Sequence, residues 1–185
     1  MNTICEFFRR RAWLRVAVVA WITPSLLFLP GGTRANPSGG IVTSGAVEFG
    51  DGLGGHLQLR QSTDKAIINW EEFSISAGEI TEFLQPGASS AVLNRVVSGN
   101  PSAIQGALRA NGKVFVINPN GIVVGSSGTI DVAGLVLSTL DVSDAEFLSG
   151  GDMIFRGNGN AGVQNFGRIN AIGGDVFLIG KSVLN

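Results

Sequence analysis

The amino-acid sequence predicts an all-β protein, and three observations carry that expectation. Runs of four to six residues rich in Val, Ile, Leu and Phe are closed again and again by Gly, Asn, Ser or Asp, the pattern of short strands between turns. Past residue 36 the helical periodicity nearly vanishes. One stretch also echoes another: "GTIDVAGLVLST" (128–139) and "GRINAIGGDVFLIG" (167–180) begin 39 residues apart. A spacing near 40 suits two solenoid coils of about 20 residues each. In a parallel β-helix a coil cannot bury its own apolar face, and stacking on the next coil completes the core. A β-sandwich with a hairpin every 8 to 12 residues or so is the competing architecture.

Residues 1–35 stand apart from this pattern. Arg9, Arg10 and Arg11 precede a mostly apolar run, Val16 to Leu29, and Thr33-Arg34-Ala35 offers a small-x-small exit. This order describes a secretory signal peptide, cleaved after Ala35. The run is too short for the roughly 20 apolar residues of a membrane span. Arg10-Arg11-Ala12-Trp13-Leu14 resembles a twin-arginine signal, which leaves the export route open between two systems. Cleavage would remove five basic residues and one acid, leaving eight basic and 13 acidic groups and a net charge of −5. With no basic stripe, nucleic acid is excluded as a partner. The single cysteine, Cys5, leaves with the leader, so no disulfide is available outside the cell.

Strands are expected at 46–49, His56–Arg60, Lys65–Trp70, Lys113–Ile117, Ile122–Val124, Leu135–Thr139, Asp152–Arg156 and Asp175–Ile179. The 25 glycines beyond residue 35 fit a chain that turns every few residues. The stretch 100–112 is ambiguous. Asn100 and Pro101 suit a helix start, yet Ile104, Gly106, Leu108 and Ala110 alternate with period two and Asn111-Gly112 is a strong turn pair. A strand, with a helical turn at its start at most, is the favoured reading. Between two Val/Ile runs, Asn118-Pro119-Asn120-Gly121 forms a turn. Pro119 pre-sets φ, Asn120 suits the left-handed region, and the Asn118 side chain can bond the backbone two residues on.

Few residues offer catalytic chemistry. "GNGNAG" (157–162) matches G-x-G-x-x-G but lacks the following helix and the acid about 20 residues on, so it is a corner rather than a nucleotide site. His56 is the only histidine, expected at an exposed strand edge. With it alone, and no cysteine after cleavage, multi-histidine metal sites and Cys-His catalysis are excluded. Glu71, Glu72, Glu79 and Glu82 are expected on the solvated side of two strands, where they discourage edge pairing. Trp70 and Phe73 offer large apolar bodies for core packing or a binding patch. Asn94 and Arg95 lie between apolar residues, so Arg95 must pair or reach the surface. No cofactor, metal or small-molecule substrate is expected, and the chain is expected to be a monomer.

Several of these motifs, in this order and spacing, resemble the amino-terminal secretion domain of two-partner secretion exoproteins, the filamentous haemagglutinin or haemagglutination activity domain. They are Asn69-Trp70 with Phe73, Gln85-Pro86, Leu93-Asn94-Arg95, Ala110-Asn111-Gly112 and Asn118-Pro119-Asn120-Gly121, and the likeness runs from about Ile41 to the end. The resemblance implies a right-handed parallel β-helix over 36–185, with an N-terminal cap and short extra-helical strands. It implies recognition in the periplasm by the POTRA modules of an outer-membrane β-barrel transporter, then folding at the surface of a Gram-negative-type cell. The residues matching the motifs, and so expected to be read by the transporter, are Trp70, Phe73, Asn94, Arg95, Asn118, Pro119, Asn120, Gly121 and Ile122. The family's NPNL motif is absent, and because members continue for many more coils, the chain is expected to stop within one. An adhesin that binds a host-surface ligand is the alternative reading. A polysaccharide-cleaving β-helix enzyme would need acids grouped with Arg or Lys, and the basic residues are sparse and scattered.

Overall fold

The computed structural model describes residues 36–185; the predicted signal peptide lies outside them. Two short strands, β1 (Ile41–Ser44) and β2 (Val47–Phe49), open the described chain. Five coils follow. The first holds β3 (His56–Gln61) and β4 (Lys65–Trp70). The second holds β5 (Ile80–Leu84), β6 (Ala91–Val96) and β7 (Ser102–Ile104). The third holds β8 (Ala107–Ala110), β9 (Lys113–Ile117) and β10 (Ile122–Val124). The fourth runs through β11 (Thr129–Val132) and β12 (Gly134–Ser138), detours through the helix α1 (Asp144–Ser149), and closes with β13 (Val163–Asn165). The fifth is β14 (Arg168–Ala171), β15 (Val176–Ile179) and β16 (Val183–Leu184).

Like strands stack into three parallel sheets, ordered β1-β4-β6-β9-β12-β15, β14-β11-β8-β5-β3-β2 and β16-β13-β10-β7. The solenoid is therefore the architecture and the sandwich is not. β1 and β2 pair antiparallel to β4 and β3 and cover the first coil's edge, so the expected N-terminal cap is present. Inside the prism, Leu59, Ile68, Phe83, Leu108, Val116, Ile122, Ile130 and Leu137 form one continuous fully buried column. The β4-to-β12 sheet is buried on its outer face too: Ile67, Leu93, Phe115, Ile117 and Val136 make a second apolar cluster there. Burial on both faces explains why "AII" in β4, "AVL" in β6 and "LVL" in β12 read as consecutive apolar residues rather than alternating ones.

Two corners carry the stacking. Gly106, Gly128 and Gly167 precede β8, β11 and β14 at equivalent positions, and a Cβ on them would strike the carbonyls of Ser76, Ile104 and Gly128 respectively. Only hydrogen fits there. At another corner Asn111 donates to Gln85 O and accepts from Gln85 N, both at 2.7 Å. Gln85 in turn donates to Gln61 Oε1 at 3.2 Å, a polar ladder across three coils.

Several expectations need correction. The 39-residue echo is one coil step, not two: Thr129 faces Arg168 in register on adjacent coils. Other steps are shorter, as Ala91 to Lys113 and Lys113 to Gly134 show, and the detour through α1 lengthens this one. Asp152–Arg156 is not a strand. Met153 and Phe155 alternate because they lie across the outer apolar cluster, and Arg156 makes only an isolated antiparallel bridge to Asp141. The stretch 100–112 contains two strands around the Gly106 corner and no helical turn. Asn120 is not left-handed: no residue other than glycine has positive φ among those described. Glu79 is buried rather than solvated, its carboxylate accepting from Ser76 N at 3.3 Å.

Candidate functional site

Three motifs that lie far apart in sequence meet at one end of the long sheet. Register pairs Asn69 with Arg95, Arg95 with Ile117 and Ile117 with Ser138. "NW", "NR" and "INPNG" thus occupy successive coils at the same exit from the sheet. Strand alternation then sends neighbours to opposite faces: Asn94 faces the prism interior, while Arg95 faces outward.

Inside, the Trp70 indole N–H donates to Asn94 Oδ1 at 2.9 Å, and Asn94 Nδ2 donates to Phe115 O at 3.1 Å. Asn94 is fully buried and Trp70 nearly so, so a polar side chain is tolerated because its bonds are made. Phe73 and Phe49 meet the Trp70 ring edge-on, with centroids 5.7 Å and 5.5 Å away. This aromatic group plugs the first coil. Trp70 and Phe73 belong to the core, not to a surface patch.

At the next coil the Asn118 turn is built by its own side chain. Gly121 N donates to Asn118 O at 3.1 Å, closing a four-residue turn. With Asn at the first position, Pro next, no left-handed Asn120 and Gly last, the features are those of a type I turn. Asn118 Oδ1 accepts from Asn120 N at 2.9 Å, the bond expected from the sequence. Its Nδ2 reaches the coil beneath, donating to Asn100 O at 3.0 Å and Ser102 Oγ at 2.9 Å. Asn120 Nδ2 donates to Ser98 O at 2.8 Å. Asn118, Gly121 and Ile122 are buried, whereas Pro119 and Asn120 are exposed.

Outside, Arg95 pairs. Its Nε lies 2.9 Å from Asp141 Oδ1 and its Nη2 lies 2.8 Å from both Asp144 Oδ1 and Val142 O. Burial disfavours its charge, but hydrogen bonds and charges from Asp141 and Asp144 outweigh that and raise the guanidinium above its ordinary pKa. These acids belong to the detour, which the strand pattern gave no reason to expect. A signal was present: Ser143-Asp144-Ala145-Glu146 is a capping-box sequence, and both bonds of the box form. Gly150 ends α1 in the left-handed conformation. Glu146 is lowered below the ordinary carboxylate range, first by the Ser143 hydroxyl and then by Arg156.

The remaining candidates do not gather into a reaction centre. His56 is exposed at the start of β3 and contacts Glu82 at 3.0 Å. Glu72 accepts from Asn100 Nδ2 at 2.9 Å. Among the described residues no three His, Cys, Asp or Glu are placed to hold a metal ion. What the arrangement can do is fasten coil to coil. Six of the nine residues expected to be read by a partner are buried in the folded domain, and Arg95 is engaged.

Comparison with known proteins agrees with this geometry. The family described as the TPS secretion domain matches residues 33–185. A heme/hemopexin-binding protein of Haemophilus influenzae is 40% identical over 109 residues, covering 59% of this chain and 12% of that protein. Another with that description is 43% identical over 86 residues, covering 46% of this chain and 9% of its own length. The chain therefore spans a small part of the relatives it matches. The secretion domain of HMW1 from Haemophilus influenzae superposes with a TM-score of 0.67 at 37% identity, covering 72% of this chain and 36% of that one.

Proposed function

The chain belongs to the TPS secretion domain family, and from that premise we propose how it carries out secretion: the transporter reads it as an extended chain and the fold then conceals what was read. In this reading the POTRA modules of an outer-membrane β-barrel transporter bind the segment around residues 69–122 in the periplasm, after the 1–35 leader has been removed. The observation that supports it most is burial. Trp70, Phe73, Asn94, Asn118, Gly121 and Ile122 are inaccessible once the coils stack, so a partner that uses them meets them before folding. Only Pro119 and Asn120 stay exposed.

The physical chemistry is consistent with such an order. Parallel coils need non-local pairing, which folds slowly. An extended strand can add to an open sheet edge of a receptor through its backbone while alternate side chains are read. Outside the cell, stacking of the coils would oppose backward sliding.

The test uses the periplasmic POTRA fragment of the cognate transporter. It should bind the chain freshly diluted from urea and lose binding as the coils form. Equal binding to the folded chain would sink the proposal. Deleting residues 100–125 separates this role from direct adhesion: loss of export supports a secretion role, and normal export with lost adhesion supports a surface ligand.

A further inference from the structure

We propose that residues 140–156 are a latch that closes across the outer face of the stacked coils after they have assembled, and that it sets how slowly the domain unfolds. This rests on the geometry of the detour and stands independently of the transporter reading.

The detour has no means of standing alone. α1 has six residues, far fewer than the dozen or so that an isolated helix needs in water. Its order comes from what it lies on. Phe147 meets the Phe115 ring edge-on at 5.2 Å. Val142 and Phe147, with Met153 and Phe155, join the apolar cluster of Ile67, Leu93, Phe115, Ile117, Val136 and Ile179. Those sheet residues come from all five coils. The docking face therefore does not exist until the coils have stacked.

Both ends of the helix are gripped by cations from earlier coils. Lys65 of β4 donates to Phe147 O and Leu148 O, each at 2.8 Å. Those are carbonyls of the last turn, where a positive charge is favoured. Arg95 of β6 holds Asp141, the Val142 carbonyl and Asp144 at the other end. The grips close chain separations of 82, 83, 46 and 47 residues. The contacts that stack β4, β6, β9 and β12 close far shorter ones, such as Lys113 to Gly134. Closing the longer loops first would cost more entropy with no platform to receive them. The latch contacts thus form late and are absent from the folding transition state. Interactions of that kind slow unfolding and leave folding unaffected.

The test is kinetic, on the full chain: denaturant jumps in both directions followed by circular dichroism. Arg95→Gln with Lys65→Met should speed unfolding by about tenfold, equivalent to about 1.4 kcal/mol, with the refolding rate unchanged. Should that pair fail to fold, Asp141→Asn with Asp144→Asn releases the Arg95 grip from the exposed side of the latch and should show the same asymmetry on a smaller scale. Refolding slowed as much as unfolding is accelerated, or no change in either rate, would overturn the proposal.

Discussion

The indole of Trp70 and the side-chain carbonyl of Asn94, 24 residues apart in sequence, share a 2.9 Å hydrogen bond inside the first two coils. Asn94 spends its other end on the Phe115 carbonyl of the third coil, so one buried amide ties three coils together. Removing it as Asn94→Ala strands the Trp70 N–H and takes one bond from the Phe115 carbonyl, at a cost of about 1–3 kcal/mol. A double-mutant cycle with Trp70→Phe, measured by urea unfolding with circular dichroism, should return a coupling of about 1–2 kcal/mol. A coupling near zero would remove the bond from the account.

Asn118 and Asn120 sit two residues apart in one turn but differ in what they hold. Asn118→Ala loses both bonds to the coil beneath and the acceptor for Asn120 N, and should destabilise by about 2–4 kcal/mol. Asn120→Ala loses a side-chain bond to Ser98 from an exposed position, worth about 0.5–1.5 kcal/mol. If the turn is read by the transporter, Asn120→Ala should still lower secretion while the domain folds. Secretion tracking stability alone across the two variants would reduce the turn to punctuation.

The glycine corner separates close approach from mere flexibility. Gly106→Ala would drive a Cβ into the Ser76 and Glu79 carbonyls, whereas at Gly99 nothing lies within 4 Å. The first should cost about 3 kcal/mol or more, because backbone on both sides must give way. The second should stay within about 0.5 kcal/mol. Thermal unfolding of the two variants in parallel measures the difference.

The latch should respond to acid through Glu146. Its folded pKa is lowered, first by Ser143 and then by Arg156. The stability it contributes is therefore fully present above the ordinary carboxylate pKa and is lost as pH falls through the lower folded value. Amide protection factors within Asp144–Ser149, taken relative to intrinsic exchange at each pH, should fall across that acidic window before those of the coils do. Ser143→Ala, which removes the cap for about 1 kcal/mol, should shrink this acid step and leave the part that comes from Arg156.

These predictions draw unequally on sequence and structure. β4, β9 and β10 have the bounds expected from sequence because turn formers flank each: Asp64 before Lys65, Asn111-Gly112 before Lys113, and Asn118–Gly121 before Ile122. The coil spacing is not legible from the echo at 128 and 167, because that echo spans a detour and length along the chain does not count coils. α1 is marked in the sequence only by its capping box, since six residues have no periodicity to detect and their support comes from Lys65 and Arg95 in distant coils. Met153 and Phe155 imitated a strand because crossing an apolar sheet face imposes the same alternation. The motif residues stand out in the sequence as a group, yet nothing local indicates that Asn69, Arg95 and Ile117 share one rung.

The claim that the chain crosses before it folds meets its most direct test in a covalent lock. Ala103 and Val123 face each other in register on β7 and β10, so Ala103→Cys with Val123→Cys would place two thiols on adjacent coils within disulfide reach. Secretion of this variant should fail under oxidising periplasmic conditions and recover when a reductant keeps the thiols free, with each single-cysteine variant secreted normally. Undiminished secretion of the oxidised, cross-linked domain would contradict the account.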